Sequence, residues 1–105
     1  MVTKKTLTTR VRRGIQFLDK KYGKKWRKKI DLKELDLNKP KSCILGQTDS
    51  DYYSHSRALG LVSDNDAAEL GFLISDAEGR SIGYFTAFDR LTKVWKTELR
   101  KLGIK

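Results

Sequence analysis

Leu7, Val11, Ile15, Leu18, Tyr22, Trp26 and Ile30 succeed one another at steps of three or four, the spacing of one apolar stripe along an α-helix. Gly23 interrupts the stripe and costs about 1 kcal/mol in a helix interior, so the pattern predicts one helix over about 7–22 and another reaching about 30. Thr8 or Thr9 is the expected N-cap of the first. Ile30-Asp31-Leu32-Lys33-Glu34-Leu35-Asp36-Leu37 reads as a short helical turn or an apolar clamp, closed by Asn38-Lys39-Pro40. Cys43-Ile44-Leu45-Gly46-Gln47 is an apolar entry to the polar turn Thr48-Asp49-Ser50-Asp51. Tyr52, Tyr53 and Leu59 suit a short helix ending near Gly60, and Ser63-Asp64-Asn65-Asp66 offers caps for a helix of about two turns that stops at Gly71.

Past Gly71 the period changes. Phe72 and Ile74, then Ile82 and Tyr84, alternate with polar or outward positions across Asp76-Ala77-Glu78-Gly79, which predicts a β-hairpin. Phe85, Phe88, Leu91, Trp95, Leu99 and Leu102 return to helical spacing and predict a last helix over about 86–102, ended by Gly103. The fold class that follows is mainly α, a compact small helical domain with at most one short β-hairpin over about residues 72–84. Its expected core is Val11, Ile15, Leu18, Tyr22, Trp26, Ile30, Leu35, Cys43, Leu45, Leu70, Phe72, Phe88, Leu91 and Trp95.

Length limits this to one domain, since 105 residues hold a single core. One Cys and one His exclude an internal disulfide and a tetrahedral Cys/His zinc site. No apolar run approaches the roughly 20 residues of a spanning helix. Met1-Val2-Thr3-Lys4-Lys5 has no apolar leader and no myristoylation glycine, so a cytoplasmic, membrane-free protein is expected.

The net charge of +10 argues for a polyanionic or acidic partner. It is unevenly spread: residues 1–41 carry +11, residues 42–89 carry −6 and residues 90–105 carry +5. Between Lys20 and Lys29 seven of ten residues are basic, with no acid between Asp19 and Asp31. At roughly 100° per residue a helix would put Tyr22, Trp26 and Ile30 inward and the cations outward. The candidate nucleic-acid or partner-binding residues are therefore Lys20, Lys21, Lys24, Lys25, Arg27, Lys28 and Lys29, extended along the first helix by Arg12 and Arg13. Phosphates would reward such a face by counterion release. Tyr22 and Trp26 are alternatively stacking platforms for single-stranded bases, although their place on the apolar stripe favours packing.

Specific chemistry is sparse. Cys43 and His55 are the one possible thiol–imidazole pair, yet nothing in their spacing enforces contact, and a Cys beside Ile44 and Leu45 reads as a buried apolar residue. Asp49-Ser50-Asp51 with His55 could hold a hard divalent ion, yet the set lacks the further carboxylates and glycine of a calcium loop, and the Asp/Ser run reads as turns and caps. Gly46, Gly60 and Gly71 form no phosphate-binding fingerprint. No catalytic residue, metal or cofactor is expected.

The succession Val11-Arg12-Arg13-Gly14, Leu18-Asp19, Trp26, Ile30-Asp31-Leu32, Leu35-Asp36-Leu37, Cys43-Ile44-Leu45-Gly46-Gln47, Tyr52-Tyr53, Leu59-Gly60-Leu61, Leu70-Gly71-Phe72, Leu91 and Trp95 resembles a group of small proteins of actinobacteria and their phages, which implies the cytoplasm of a bacterial host. The resemblance spans most of the chain and implies a phage or mobile-element setting without implying a reaction. The lysine-rich stretch around Trp26 departs from the group's pattern. Two functions are expected: a basic accessory protein that binds DNA or RNA, or a phage-encoded protein that binds an acidic surface of a host protein such as a defence nuclease or part of the transcription machinery. The oligomeric state is open.

Overall fold

The computed structural model describes residues 3–49, 51–61 and 63–104, so Met1, Val2 and Ser50, on which parts of the leader and turn readings fall, lie outside it. Helix α1 spans Lys4–Tyr22 and passes into a 3-10 helix, Gly23–Lys29. The cap is Thr3, whose hydroxyl accepts from the Thr6 amide at 3.2 Å. Thr8 and Thr9 therefore lie inside the helix, which starts about a turn earlier than expected, and bond back to the Lys4 and Lys5 carbonyls. Gly23 ends the α-helical pitch with φ 68°, a conformation open to glycine at no steric cost.

Ile30, Leu32, Leu35 and Leu37 are all buried, so the segment after the 3-10 helix is the apolar clamp. Helices α2 (Ile44–Thr48), α3 (Tyr52–Ala58) and α4 (Asp64–Glu69) follow, capped by Cys43, Asp51 and Ser63. Gln47 ties α2 to the clamp, its carbonyl accepting from Asp31 N at 2.5 Å and its amide donating to Ser42 O at 2.9 Å.

The expected hairpin is absent. Among the described residues there is no strand, and Asp76–Ile82 form helix α5. Ser75 and Glu78 make a reciprocal capping box, the hydroxyl accepting from Glu78 N at 3.2 Å and the carboxylate from Ser75 N at 3.1 Å. That pair satisfies two amide donors that a turn between strands would have left to solvent. Gly79 is buried inside α5 because the Tyr84 ring lies against it; a Cβ there would fall 2.2 Å from a ring carbon. Helix α6 runs Tyr84–Lys101, two residues earlier than its stripe predicts.

One hydrophobic cluster joins residues from Leu7 to Leu99. Its centre is Trp95, fully buried, stacked on Phe72 at 5.9 Å and donating from Nε1 to Gly71 O at 2.6 Å. Helix α1 crosses that spot at Gly14, where a Cβ would lie 2.1 Å from Leu70 O. Of the expected core, Leu70 and Phe88 pack on its margin and Tyr22 does not belong to it, being 44% exposed. Phe85, first on the last apolar stripe, also stands out in solvent.

Candidate nucleic-acid interface

The basic face sits where α1 meets the 3-10 helix. Trp26 is buried and anchors that junction, its indole N–H donating to Asp19 Oδ1 at 2.8 Å. Arg27 folds onto the same carboxylate, with Nη2 2.5 Å from Oδ2 and Nε 3.2 Å from Oδ1. One acid thus holds an indole and a guanidinium seven and eight residues further on. Lys29 reaches across to α2 and donates to Thr48 O at 3.3 Å.

In a 3-10 helix positions three apart eclipse, so inward Trp26 and Lys29 share one row while Lys25 and Lys28 stack on another. Lys20, Lys21, Lys24, Lys25 and Lys28 are exposed, and among the described residues none of them makes an ion pair or side-chain hydrogen bond. Five cations therefore remain from the seven that the sequence places on this face.

The other half of α1 is electrostatically different. Arg12 pairs with Glu98 at 2.7 Å, Arg10 with Glu78, and Lys101 also reaches Glu98 at 3.1 Å. Arg13 is exposed but shares a cleft of about 420 Å³ with Lys5, Arg10 and Glu69. Burial pushes the Glu78 and Glu98 carboxyls up, but the hydrogen bonds from Arg10 and Ser75 to the first, and from Arg12 and Lys101 to the second, outweigh it and hold both below the ordinary glutamate value. Arg12 is therefore neutralised by Glu98, whereas Arg13 is exposed and, among the described residues, makes no ion pair or side-chain hydrogen bond, with Glu69 the one acid lining its cleft.

Tyr22 closes α1 with its ring part-exposed and tilted against the His55 ring at 5.7 Å, its hydroxyl 2.7 Å from Nε2 of His55. His55 is fully buried on α3, and its Nδ1 lies 2.9 Å from Leu45 O and 3.1 Å from Thr48 Oγ1. A carbonyl only accepts, so Nδ1 donates there and Nε2 accepts from the Tyr22 hydroxyl. Burial, then the Asp49 charge, push that phenol above its ordinary value, so the donor keeps its proton. Sequence reasoning placed Tyr22 in the core and gave His55 no structural role. Tyr22 keeps the spacing of the stripe but is the last residue of α1, and no periodicity signals its exposure.

The thiol–imidazole pairing has no geometry to support it. Cys43 is buried, its sulfur accepts from Gly46 N at 3.3 Å, and its S–H faces Pro40 O at 3.6 Å. Burial pushes the thiol up, away from the reactive thiolate. Asp51 is engaged as the α3 cap, accepting from Ser54 N at 2.9 Å. Among the described residues no three His, Cys, Asp or Glu side chains converge to hold a metal ion, and no helix is long and apolar enough to cross a membrane.

Comparisons with family models, curated proteins and solved structures find no match to this chain. The reading of the site therefore rests on its own charges and geometry.

Proposed function

We propose that this chain is a non-enzymatic nucleic-acid-binding protein that grips phosphates with Lys20, Lys21, Lys24, Lys25 and Lys28. The observation that carries the reading is five exposed lysines without internal partners on a junction pinned by Trp26 and Asp19. A solvated face usually alternates its charges, whereas this one repels itself until an anion arrives. Phosphate contacts position a protein without reading bases, so sequence preference is weak. An accessory role in a mobile element is the setting that the resemblance noted in the sequence implies, and it adds nothing to the charge argument.

Fluorescence anisotropy against labelled duplex DNA, single-stranded DNA and RNA across a salt series tests this. Micromolar or tighter binding at physiological salt is expected, with log K falling by about 0.7 to 0.9 per lysine–phosphate contact for each unit of log salt. Binding that vanishes at that salt refutes the reading. The Arg10–Glu78 and Arg12–Glu98 pairs beside Glu69 support a second reading, a complementary host-protein surface, because charges of both signs match a patterned protein partner better than a row of phosphates.

A further inference from the structure

We infer that Tyr22 is a stacking platform for an unpaired base, which makes single-stranded nucleic acid the preferred ligand of the lysine face; this rests on the phosphate-binding reading above. Among the described residues five large apolar or aromatic side chains are exposed: Tyr22, Tyr53, Tyr84, Phe85 and Leu102. The other three aromatics sit among charges of both signs. Tyr84 donates to Asp76 at 2.5 Å, which also pairs with Arg80, Tyr53 lines a cleft with Arg57 and Asp64, and Phe85 lines one in which Glu34, Asp36 and Asp89 face Lys33, Lys39 and Lys96. Tyr22 alone has an exposed lysine pair on each side in the chain, Lys20-Lys21 and Lys24-Lys25, with Asp49 the one acid that acts on its hydroxyl.

The ring is also held. Its hydroxyl is tethered to a buried imidazole whose other nitrogen is fixed by a backbone carbonyl, so the phenol cannot fold down onto the surface or swing freely. A preset ring among cations matches how proteins hold single strands, with bases on aromatic faces and phosphates on lysines. In a duplex the base faces are covered by their neighbours, and the same ring gains nothing. Trp26, the other aromatic of the segment, is buried and takes no part.

The test compares two oligonucleotides with equal numbers of phosphates, oligothymidine and an abasic oligomer of the same length, by anisotropy with the full chain. Oligothymidine is expected to bind about tenfold tighter, the effect of one base stacked on an aromatic ring. Tyr22→Leu is expected to bring the ratio to about one while leaving abasic affinity unchanged, and Tyr22→Phe to keep most of it. Equal affinities of the wild-type protein for both oligomers overturn the inference and leave the phosphate-binding reading intact. A preference that survives Tyr22→Leu overturns the role of Tyr22. No binding to either overturns both readings. The wild-type comparison and the Phe variant carry the test even if the Leu variant fails to fold.

Discussion

Asp19 holds three donors at the foot of the basic face, two from Arg27 and one from Trp26, and that arrangement makes Asp19→Ala a variant with two opposite effects. Its removal leaves the buried indole N–H without an acceptor, at about 1–3 kcal/mol. It also breaks an ion pair whose side chains are only 17% and 25% exposed. Discounted for that residual solvent access, the pair adds about 1 kcal/mol, for a total near 3 kcal/mol. A domain with an ordinary stability of about 5–15 kcal/mol stays folded after such a loss. At the same time Arg27 is released to solvent as a sixth cation beside Lys24, Lys25 and Lys28. Single-strand binding should steepen by about 0.7 in the log K against log salt slope, roughly fourfold tighter at 0.15 M salt.

Urea unfolding followed by tryptophan fluorescence reads the first effect, with a midpoint lower by about 2 M for an m-value near 1.5 kcal/mol/M. Anisotropy across a salt series reads the second. Glu34→Ala removes the same charge from an exposed site and is expected to leave stability within about 0.5 kcal/mol and the slope unchanged. An Asp19→Ala protein that unfolds at the wild-type midpoint, or whose slope matches that of Glu34→Ala, refutes the account of the junction.

Gly14→Ala should destabilise the protein by about 2 kcal/mol even though alanine is the better helix former by about 1 kcal/mol, because overpacking against backbone costs up to about 3 kcal/mol. The contact is Leu70 O, which a Cβ would meet at 2.1 Å, and a stabilised variant in urea unfolding would contradict the packing of α1 on that turn. Glu78 and Glu98 bind protons less readily folded than unfolded, so their contribution is full above the ordinary glutamate value of 4.5 and is lost as pH falls through their lowered native values. Thermal midpoints should therefore drop below about pH 4.5, and Glu78→Gln should flatten that dependence; a variant as acid-sensitive as wild type would refute it.

The long helices were legible because their signals are local. The stripe from Leu7 to Leu18, the Gly23 stop and the run from Leu91 to Leu99 need only 3.6-residue periodicity and one glycine. Helix α5 was misread because Phe72, Ile74, Ile82 and Tyr84 alternate as strands do, while Ser75-Asp76-Ala77-Glu78 carried a capping-box signature that the acidic turn reading obscured. The cluster of cations was visible as composition, but its partition was not. Arg12–Glu98 and Arg10–Glu78 join residues 86 and 68 positions apart, a distance no periodicity spans. Asp19 with Arg27 was within reach, eight residues apart at the end of a helix. The Tyr22–His55 tether depends on how α3 docks against that end, which only the fold determines.

The most direct test of the lysine face compares two variants that each lose five positive charges. One replaces Lys20, Lys21, Lys24, Lys25 and Lys28 with glutamine; the other does the same to Lys4, Lys5, Arg90, Lys96 and Arg100, cations near the start of α1 and along α6. Measured by anisotropy on a single-stranded oligonucleotide, the first should lose binding and about 3.5 units of salt slope, five contacts at about 0.7 each, while the second keeps most of both. Equal losses from the two variants would mean that net charge, and not this face, attracts the ligand.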